Sequence, residues 1–327
     1  MNPRRQALVL VLATTLSVAT LVLHEVWGVV VFAITVAYVL VPLQGRLSKL
    51  GVPDWWASSV TTVVGTVAAL VPFLLAGYLG YRRRDSITGF LRSVPDAVEV
   101  SIFGASYAVD IEAIFEGIEA FLSATAVSIA SALPELGLKA TLFAFVVFGL
   151  LISHEAVEDA LMAAIPPEYR DVMTALGHRA EQTLYGIYVL QAATAAATFV
   201  ISLAVFWGLG YSIPVTLSFL AAILQFVPIV GPSFLIAGLA VYHVVVGDVV
   251  AAVWVVVLAG FFVAWLPDVL VRPRLSRRTG NLAGTLYFVG FVGGLLTVGP
   301  IGIVVGPVSV ALVSEAMLLL AEENHLE

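Results

Sequence analysis

The chain has 327 residues, of which 61% are hydrophobic and only 11% are charged, and its formal net charge is −7 at pH 7. With a mean hydropathy of +1.05, this composition lies well above the roughly 45–50% apolar content of soluble domains and predicts an integral membrane protein with several spans. The absence of cysteine excludes disulfides and thiolate chemistry, and the lack of a basic stripe with interleaved aromatic residues argues against nucleic-acid binding.

Residues 1–81 are predicted to form the N-terminal transmembrane helices. The first apolar run, residues 7–23, follows two arginines but lacks a convincing small-residue cleavage site. We therefore interpret it as a retained helix rather than a signal peptide. The runs at residues 26–43 and 55–81 are long enough for two further spans. Aromatic residues at both ends of the third run are typical of a membrane–water interface.

Residues 82–137 differ from everything before them because they contain eight acidic residues. Between Asp110 and Ser123, apolar residues recur at helical spacing with carboxylates on the opposite face. An amphipathic helix that lies on the membrane or packs on a neighbouring subunit fits this pattern, and so does a solvated connector. We expect this acidic segment to lie outside the cytoplasm.

Residues 138–184 are predicted to contain a fourth span, at residues 138–152, followed by polar cytoplasmic helices. Pro166 and Pro167 separate these polar helices, because proline cannot continue a helix from within. His154 and its acidic neighbours superficially resemble metal ligands, but the second histidine of a zinc-protease motif is absent. We predict a solvated helix end there and no metal site.

Residues 185–320 are predicted to form a core that contains two broken apolar stretches, and residues 321–327 form a C-terminal tail. The core opens with a span that ends near Trp207 and carries Gln191 into the bilayer. Polar groups in a membrane are usually satisfied by a neighbouring helix and less often contact a substrate. Both roles remain open for Gln191.

The first broken stretch, residues 213–246, contains no Asp, Glu, Lys or Arg. As one straight helix it would measure about 50 Å, against a hydrocarbon core of roughly 30 Å. Pro228, Gly231 and Pro232 interrupt its middle, which favours two half-length helices that meet inside the membrane as a re-entrant hairpin. A proline-kinked span is the alternative. Gln225 is close enough to the break to cap freed backbone groups or to face a cavity.

The next span, residues 249–266, leads into Asp268 and Arg272. These two residues are one turn apart, so their side chains can pair on one helix face. Such a pair is either an anchor at the membrane interface or a gate. Asp248 and Glu315 are the other carboxylates considered for a cation site, and each of the three lies at a predicted end of an apolar segment.

The second broken stretch, residues 282–321, has Gly299, Pro300 and Gly302 near its middle. As a straight helix it would measure about 60 Å, so a second re-entrant hairpin is the economical interpretation. Small residues four apart allow helix backbones to approach closely. Two such glycine pairs flank the break: Gly290 with Gly294, and Gly302 with Gly306.

The distribution of basic residues supports two hairpins that enter from opposite sides. With a cytoplasmic N-terminus and two re-entrant stretches, ten of the fifteen Lys and Arg residues lie inside, whereas two full crossings leave only six there. The predicted fold is an all-α polytopic membrane protein with about six full transmembrane helices and two re-entrant, inverted helical hairpins. We expect it in the plasma membrane with both termini in the cytoplasm.

Three motifs of the core resemble one known family. They are LGYSIPVTLSFLAAILQFVPIVGP, LPDVLVRPRL and FVGGLLTVGPIGIVVGP, and they are similar to the marks of the autoinducer-2 exporter-like (AI-2E, or PerM) transporters. The resemblance covers Tyr185 to Leu320, with earlier residues matching only in the order of spans. Val269 replaces an Asn that is frequent in the family, and Gly284-Thr285 replaces a His-Pro; both departures concern the identity of the substrate.

The resemblance implies a homo-oligomeric secondary transporter, with a pentamer as the expected assembly and the hairpins in a moving, elevator-like unit. Family members are linked to export of a small furanosyl signalling molecule or to exchange of Na⁺ or Li⁺ for H⁺. Because the hairpins offer no carboxylate near their tips, the residues favour export of a small polar solute. A Na⁺(Li⁺)/H⁺ antiporter and a passive channel or scaffold are the alternatives. H⁺ or Na⁺ is the possible coupling ion, and no other cofactor and no enzymatic activity are expected.

The candidate translocation residues are polar side chains and turn residues of the two broken stretches and of the span before them: Gln191, Gln225, Pro228, Gly231, Pro232, Thr297, Gly299, Pro300 and Gly302. Ser233 and Thr285 supply further hydroxyls for a polar solute. Asp268 and Arg272 are the candidate gate or coupling residues. No catalytic residue is predicted.

The topology predicts that residues 274–281 face the cytoplasm, on the same side as the N-terminus, because this arrangement places most basic residues inside. A single cysteine at Ser276 can be tested without background, since the chain has no cysteine of its own. We expect it to react with a membrane-impermeant thiol reagent only after the membrane is opened. Labelling from outside intact cells would contradict the arrangement with two hairpins.

Overall fold

A computed structural model describes residues 3–82, 97–102, 105–227, 231–275 and 284–326. Most of the described chain is helical. The helices are α1 (Pro3–Val22), α2 (Trp27–Lys49), α3 (Asp54–Arg82), α4 (Ile111–Ala164), α5 (Arg170–Tyr185), α6 (Gln191–Gly208), α7 (Pro214–Leu224), α8 (Ser233–Val245), α9 (Val249–Trp254), α10 (Leu266–Leu275), α11 (Gly284–Val298) and α12 (Gly302–Leu326). Pro167–Tyr169 and Gly299–Ile301 are 3₁₀ turns, and Gly186–Leu190 and Val255–Trp265 are π-helical.

Six helical segments are long and apolar enough to cross a membrane; five correspond to predicted spans, and the sixth, Gly284–Glu323, is the stretch predicted as a re-entrant hairpin. They are Trp27–Lys49, Asp54–Pro72, Ala132–Ala164, Pro167–Gly208, Val249–Val271 and Gly284–Glu323. The first apolar run, expected as a full span, belongs to a shorter apolar helix, Gln6–Val22. A multi-pass membrane protein is therefore confirmed, with the last of the six segments interrupted by a turn at Gly299–Ile301.

The acidic segment contains a short element that its helical periodicity did not predict. Strands β1 (Ala97–Ile102) and β2 (Ala105–Asp110) pair antiparallel, with Ala97 opposite Asp110. In β1, valine and isoleucine alternate with polar residues at a period of two, which suits a strand better than a helix. The predicted helix then begins at Ile111 and continues through the fourth span as α4. Within α4, Ser153 has non-helical backbone angles.

The chain divides into two compact units. The first comprises Met1–Thr66, Glu135–Glu181 and Ala283–Glu327, and the second comprises Val67–Pro134 and Gln182–Leu282. Each of the two broken apolar stretches therefore belongs to a different unit. Residues 276–283 lie outside the described residues, and they include most of the segment predicted to face the cytoplasm, residues 274–281.

In the first unit, α11 and α12 fold back on each other as a helical hairpin held by glycines. A β-carbon added to Gly290 would lie 2.8 Å from the α-carbon of Pro307, and one added to Gly294 would overlap the carbonyl of Gly302. Gly290 faces Pro307 whereas the later Gly294 faces the earlier Gly302, so the two helices run antiparallel. The chain reverses at Gly299, whose φ of 75° suits glycine. The predicted close approach of the glycine pairs is confirmed.

In the second unit, α7 and α8 also form a helical hairpin. Tyr211 precedes α7 and His243 lies near the end of α8, yet their side chains are 2.8 Å apart. On a kinked but continuous span these residues would be separated by roughly 45–50 Å, so the chain must reverse between them. The hairpin packs on α6 and on the Val255–Trp265 π-helix through a shared apolar cluster. Its buried members are Phe206, Ile213, Leu217, Ala221, Ile236, Leu239, Val255, Ala259 and Val263.

The glycine contact predicts a sharp difference between two adjacent positions in α11. Gly294→Ala forces a methyl group into the backbone of α12 and should destabilise the protein by about 1–3 kcal/mol or more. Gly293 has nothing within 4 Å of an added β-carbon, so Gly293→Ala should be neutral or slightly stabilising in a helix. Thermal unfolding of both purified variants measures the difference. Equal unfolding midpoints would show that the two helices do not pack through this glycine.

Candidate functional site

A chain of hydrogen bonds joins three predicted site residues in the second unit. The side-chain Nε2 of Gln191 donates to the backbone carbonyl of Gln225. The side-chain Nε2 of Gln225 in turn donates to Oδ1 of Asp268 over 2.8 Å. These residues are 34 and 43 positions apart in the sequence, and the fold brings them together next to the turn of the first hairpin.

Gln191 owes its position to an irregular helix. The π-helix Gly186–Leu190 comes directly before α6, which begins at Gln191. A π turn adds a residue to the helical repeat and rotates all that follows, and such turns are frequent at functional sites. Gln191 therefore points to the end of α7 and caps one of its free carbonyls. This confirms that a neighbouring helix satisfies Gln191.

Asp268 is likewise presented by an irregular segment. The π-helix Val255–Trp265 leads into α10, whose second residue, Pro267, is fully buried. A proline ring clashes with the carbonyl four residues earlier in a regular α-helix, and widened turns before Pro267 relieve that clash. The carboxylate of Asp268 follows at once and reaches Gln225. The hairpin itself carries no carboxylate, but the fold brings Asp268 of the following span to Gln225 at the end of α7.

Gln225 is the central residue of the group, and only 5% of it is exposed. It follows the last residue of α7. Its side-chain Oε1 is buried and has no hydrogen-bond partner in the part of the chain that the structure describes. The nearest glycine is Gly231, which is buried like Pro232 and has a φ of 25°. Pro228 lies outside the described residues.

The other two candidate carboxylates have structural roles. Asp248 caps α9, because its side chain accepts a hydrogen bond from the backbone N–H of Ala251 at 2.9 Å. Glu315 pairs with Arg179, since Nε of Arg179 lies 3.6 Å from Oε2 of Glu315. The Arg179 side chain is only 13% exposed and that of Glu315 23%. Removing either partner of such a sheltered pair strands the other charge. Asp268 is thus the carboxylate that the fold places beside a broken helix.

The remaining predicted residues are not part of the hydrogen-bonded group of Gln191, Gln225 and Asp268. Thr297, Gly299, Pro300 and Gly302 surround the turn of the α11–α12 hairpin, in the first unit. The Thr297 hydroxyl donates to the carbonyl of Gly293 at 2.8 Å, within its own helix. Ser233 and Thr285 are exposed. Arg272 lies on α10 with Asp268, but its side chain is outside what the structure describes, so their pairing stays a prediction.

Sequence reasoning missed the contact that closes the open end of the first hairpin. The Tyr211 hydroxyl and His243 Nε2 are 2.8 Å apart, and the ring of Phe206 meets Tyr211 edge to face at 5.7 Å. Burial, with a smaller effect of nearby Tyr242, raises the pKa of the Tyr211 phenol to about 12. Tyr211 therefore stays protonated at neutral pH and can donate to the imidazole. The sequence signal that could have predicted this contact is the presence of Tyr211 and His243 near the two ends of one apolar stretch.

Comparison with known proteins gives a family for this arrangement. The model of the AI-2E family transporters matches residues 8–322. A protein of Methanothermobacter thermautotrophicus named "Putative transport protein" is 24% identical over 296 residues, which cover 88% of this chain and 86% of that protein. A protein of Methanocaldococcus jannaschii, also named as a putative transport protein, is 20% identical over 172 residues. These residues cover 53% of this chain and 52% of that protein.

The hydrogen bond from Gln225 to Asp268 should contribute measurably to stability. Gln225→Leu removes the donor and leaves the carboxylate without it, at a cost of about 1.5–3 kcal/mol for a bond to a charged group. Asp268→Asn keeps an oxygen that can accept the same bond and should cost less. Ser202→Ala is a suitable control, because its buried hydroxyl bonds only within its own helix, to Phe199. If Gln225→Leu unfolds no earlier than Ser202→Ala, the bond does not stabilise the fold.

Proposed function

The chain belongs to the AI-2E transporter family, and on that premise we propose that it is a secondary transporter that exports a small polar solute. An autoinducer-2-like signalling molecule, which is a furanosyl compound rich in hydroxyl groups, is the proposed type of solute. Movement follows an alternating-access, elevator-like mechanism. The membrane-spanning helices and the family support transport as such, and the residues of the second unit support the choice of a polar solute.

The observation that carries this proposal is the hydrogen-bonded group of Gln191, Gln225 and Asp268. It lies beside a helix break in the same unit as the apolar cluster, and it joins three different helical segments. Polar and ionisable groups are expensive inside a membrane protein and mark pathways of solutes, ions or protons. Broken helices present backbone groups to a substrate in the same way. A hydroxyl-rich solute can exchange hydrogen bonds with such a group as it passes.

An elevator-like mechanism requires a compact body that carries the solute. The division of the chain into two compact units, each with its own helical hairpin, supports such a mechanism. We propose that the α7–α8 hairpin of the second unit and the α11–α12 hairpin of the first enter the membrane without crossing it. The half-helices of the α7–α8 hairpin support this for the first hairpin: at about 1.5 Å per residue, the 11 residues of α7 and 13 of α8 are too short to span alone.

A Na⁺(Li⁺)/H⁺ antiporter is the second candidate function, and the position of Asp268 favours it. A carboxylate beside the hairpin turn can bind a proton or contribute to a cation site, whereas Asp248 and Glu315 are held by structural contacts. H⁺ or Na⁺ then serves as the coupling ion or as the transported species. The flux experiment below separates this function from solute export.

We also propose a homo-oligomer, with a pentamer as the family suggests, in the plasma membrane with cytoplasmic termini. The exposure of α1 supports assembly: every side chain from Gln6 to Glu25 is exposed within the described chain. An apolar helix without packing in its own subunit must face lipid or another subunit. Cross-linking of the purified protein in nanodiscs measures the number of subunits.

Flux in proteoliposomes tests the proposed function. Candidate polyhydroxylated solutes and ²²Na⁺ are offered with and without a pH gradient, and we expect saturable solute movement that depends on the gradient. Gln225→Leu should lower the rate at least tenfold, since a lost hydrogen bond to a charged partner is worth about 1.5–3 kcal/mol. Gly293→Ala, which fills open space, should transport like the native chain.

Each other result identifies an alternative. Movement of Na⁺ against H⁺ without any solute would establish the antiporter. A leak that neither saturates nor depends on a gradient would establish a passive channel. Absence of all flux from liposomes that contain folded protein would leave a scaffold role and would refute transport.

A further inference from the structure

An open groove lies between α3 and α4 in the first unit, and its volume is about 490 Å³. Ser59, Thr62 and Thr66 line it from α3, and Ala140 and Ala144 are among the residues that line it from α4. All of them belong to the middle of segments that are long and apolar enough to cross a membrane. The groove is therefore open to the bilayer or to a neighbouring protein.

The residues that line the groove suit another helix better than a polar ligand. The hydroxyl groups of Ser59, Thr62 and Thr141 each donate to a carbonyl of their own helix. Interfaces between membrane helices are enriched in Gly, Ala, Ser and Thr, because small side chains let two backbones approach closely. One helical turn with its side chains occupies about 400–600 Å³, from a diameter of roughly 10–12 Å and a pitch of about 5.4 Å. The groove thus has the volume of about one helical turn.

Helix α1 exposes all its faces within its own subunit. Every side chain from Gln6 to Glu25 is exposed in the described chain. The second half of α1 carries Ala13, Ser17 and Thr20, which lie three or four residues apart and therefore share one face. Lipid chains gain nothing from a face of small residues, whereas a second helix can approach its backbone. The groove and α1 are thus two uncovered surfaces of similar chemistry in one subunit.

Helix α1 and the groove also lie at similar depths. Short connections join α1 to α2 and α2 to α3, so α1 and α3 begin on the same membrane side if α1 and α2 each cross, as predicted. Ala13 lies ten residues after the start of α1, about 15 Å along the helix. The Phe148 ring meets Trp55, the second residue of α3, at 6.2 Å. Ala140 lies eight residues before Phe148, about 12 Å away.

We propose that α1 of one subunit docks into the groove between α3 and α4 of the next subunit. This proposal rests on the proposed homo-oligomer and specifies the surfaces that hold it together. Because the two surfaces differ, each subunit offers α1 to one neighbour and its groove to the other. Heterologous contacts of this kind close into rings of any number of subunits, odd numbers included, whereas a single two-fold contact produces only pairs.

Cross-linking between copies tests the interface directly, because the chain has no cysteine of its own. Copies with Ala13→Cys and copies with Ala140→Cys carry different tags, are co-expressed and are treated in the membrane with a short thiol-bridging reagent. We expect a product of two subunits that carries both tags. Val11→Cys is the matched control, since Val11 lies two positions from Ala13 and faces the opposite side of α1. It should give about tenfold less product.

A bulky residue on the same face of α1 should weaken assembly. Ala13→Phe places a ring between α1 and the groove and should raise the dissociation constant of the assembly about tenfold or more. Ala19→Phe makes the same change on another face of α1 and should leave that constant unchanged. Mass photometry of the full-length protein in detergent, over a dilution series, measures the constant. Circular dichroism checks that both variants keep the native helix content.

Three results would overturn the interface. The first is equal cross-linking of Val11→Cys and Ala13→Cys. The second is an internal cross-link in a chain that carries both Ala13→Cys and Ala140→Cys, which would show that α1 fills the groove of its own subunit. The third is a lipid that stays bound to the native protein in native mass spectrometry and is lost in Ala144→Trp, while no cross-link forms. That result would assign the groove to lipid.

Failure of the interface is separable from failure of the proposed function. An oligomer that persists without the cross-link removes this interface and retains the homo-oligomer. A protein that is monomeric at every concentration removes both. Solute flux enters none of these measurements, so absence of flux from cross-linked, folded protein removes the transporter and leaves the interface.

Discussion

The hydrogen bond from Gln225 to Asp268 is the interaction on which the second unit is organised. It joins the end of a half-helix to a helix that starts 42 residues after α7 ends. Asp268 is partly buried, and the Gln225 amide supplies its carboxylate with a hydrogen-bond donor from the protein itself. Gln191 extends the same group by bonding the backbone of Gln225. Three irregular points of the chain, two π-helices and one broken helix, therefore meet at one polar cluster.

The two hairpins reverse the chain by different physical means. In the first unit, α11 and α12 touch backbone to backbone through glycines, and their contact depends on the absence of side chains. In the second unit, Tyr211 and His243 join the open ends of α7 and α8, and the Gln225 amide joins the end of α7 to α10. A contact made by backbone tolerates no added volume. A contact made by polar side chains can exchange hydrogen-bond partners, which a contact between backbones cannot do.

The oxygen atoms near the end of α7 also limit which chemical groups can interact there favourably. The carbonyl oxygens of Leu224 and Val227 and the side-chain oxygen of Gln225 lie near Gly231, and Asp268 accepts a hydrogen bond from the same Gln225 amide. Both functions considered for this family bring an electropositive species, either the hydroxyl groups of a solute or a cation. The carboxylate links them, since a proton on Asp268 would change which hydrogen bonds the Gln225 amide can make.

The sequence by itself determined the membrane class, the position of the apolar segments and the places where they break. It also determined the glycine contact of α11 with α12, because all these features depend on local composition, on proline and glycine chemistry and on spacings of three or four residues. From the motifs, it identified the family and placed Gln191, Gln225 and Asp268 among the candidates. Short-range patterns carry this information whatever the tertiary fold.

Only the tertiary structure decided which of those candidates meet. The pairing of Gln225 with Asp268, of Arg179 with Glu315 and of Tyr211 with His243 joins residues that are 32 to 136 positions apart. Each of these three contacts depends on the rotation of the two helices about their own axes, which sets the direction of their side chains. The π-helical turns before Gln191 and Asp268 change that rotation by one residue, about 100°, and no sequence periodicity announces them. Asp268, predicted at the end of a span, thus meets Gln225 at the end of α7 because of a helix rotation that only packing selects.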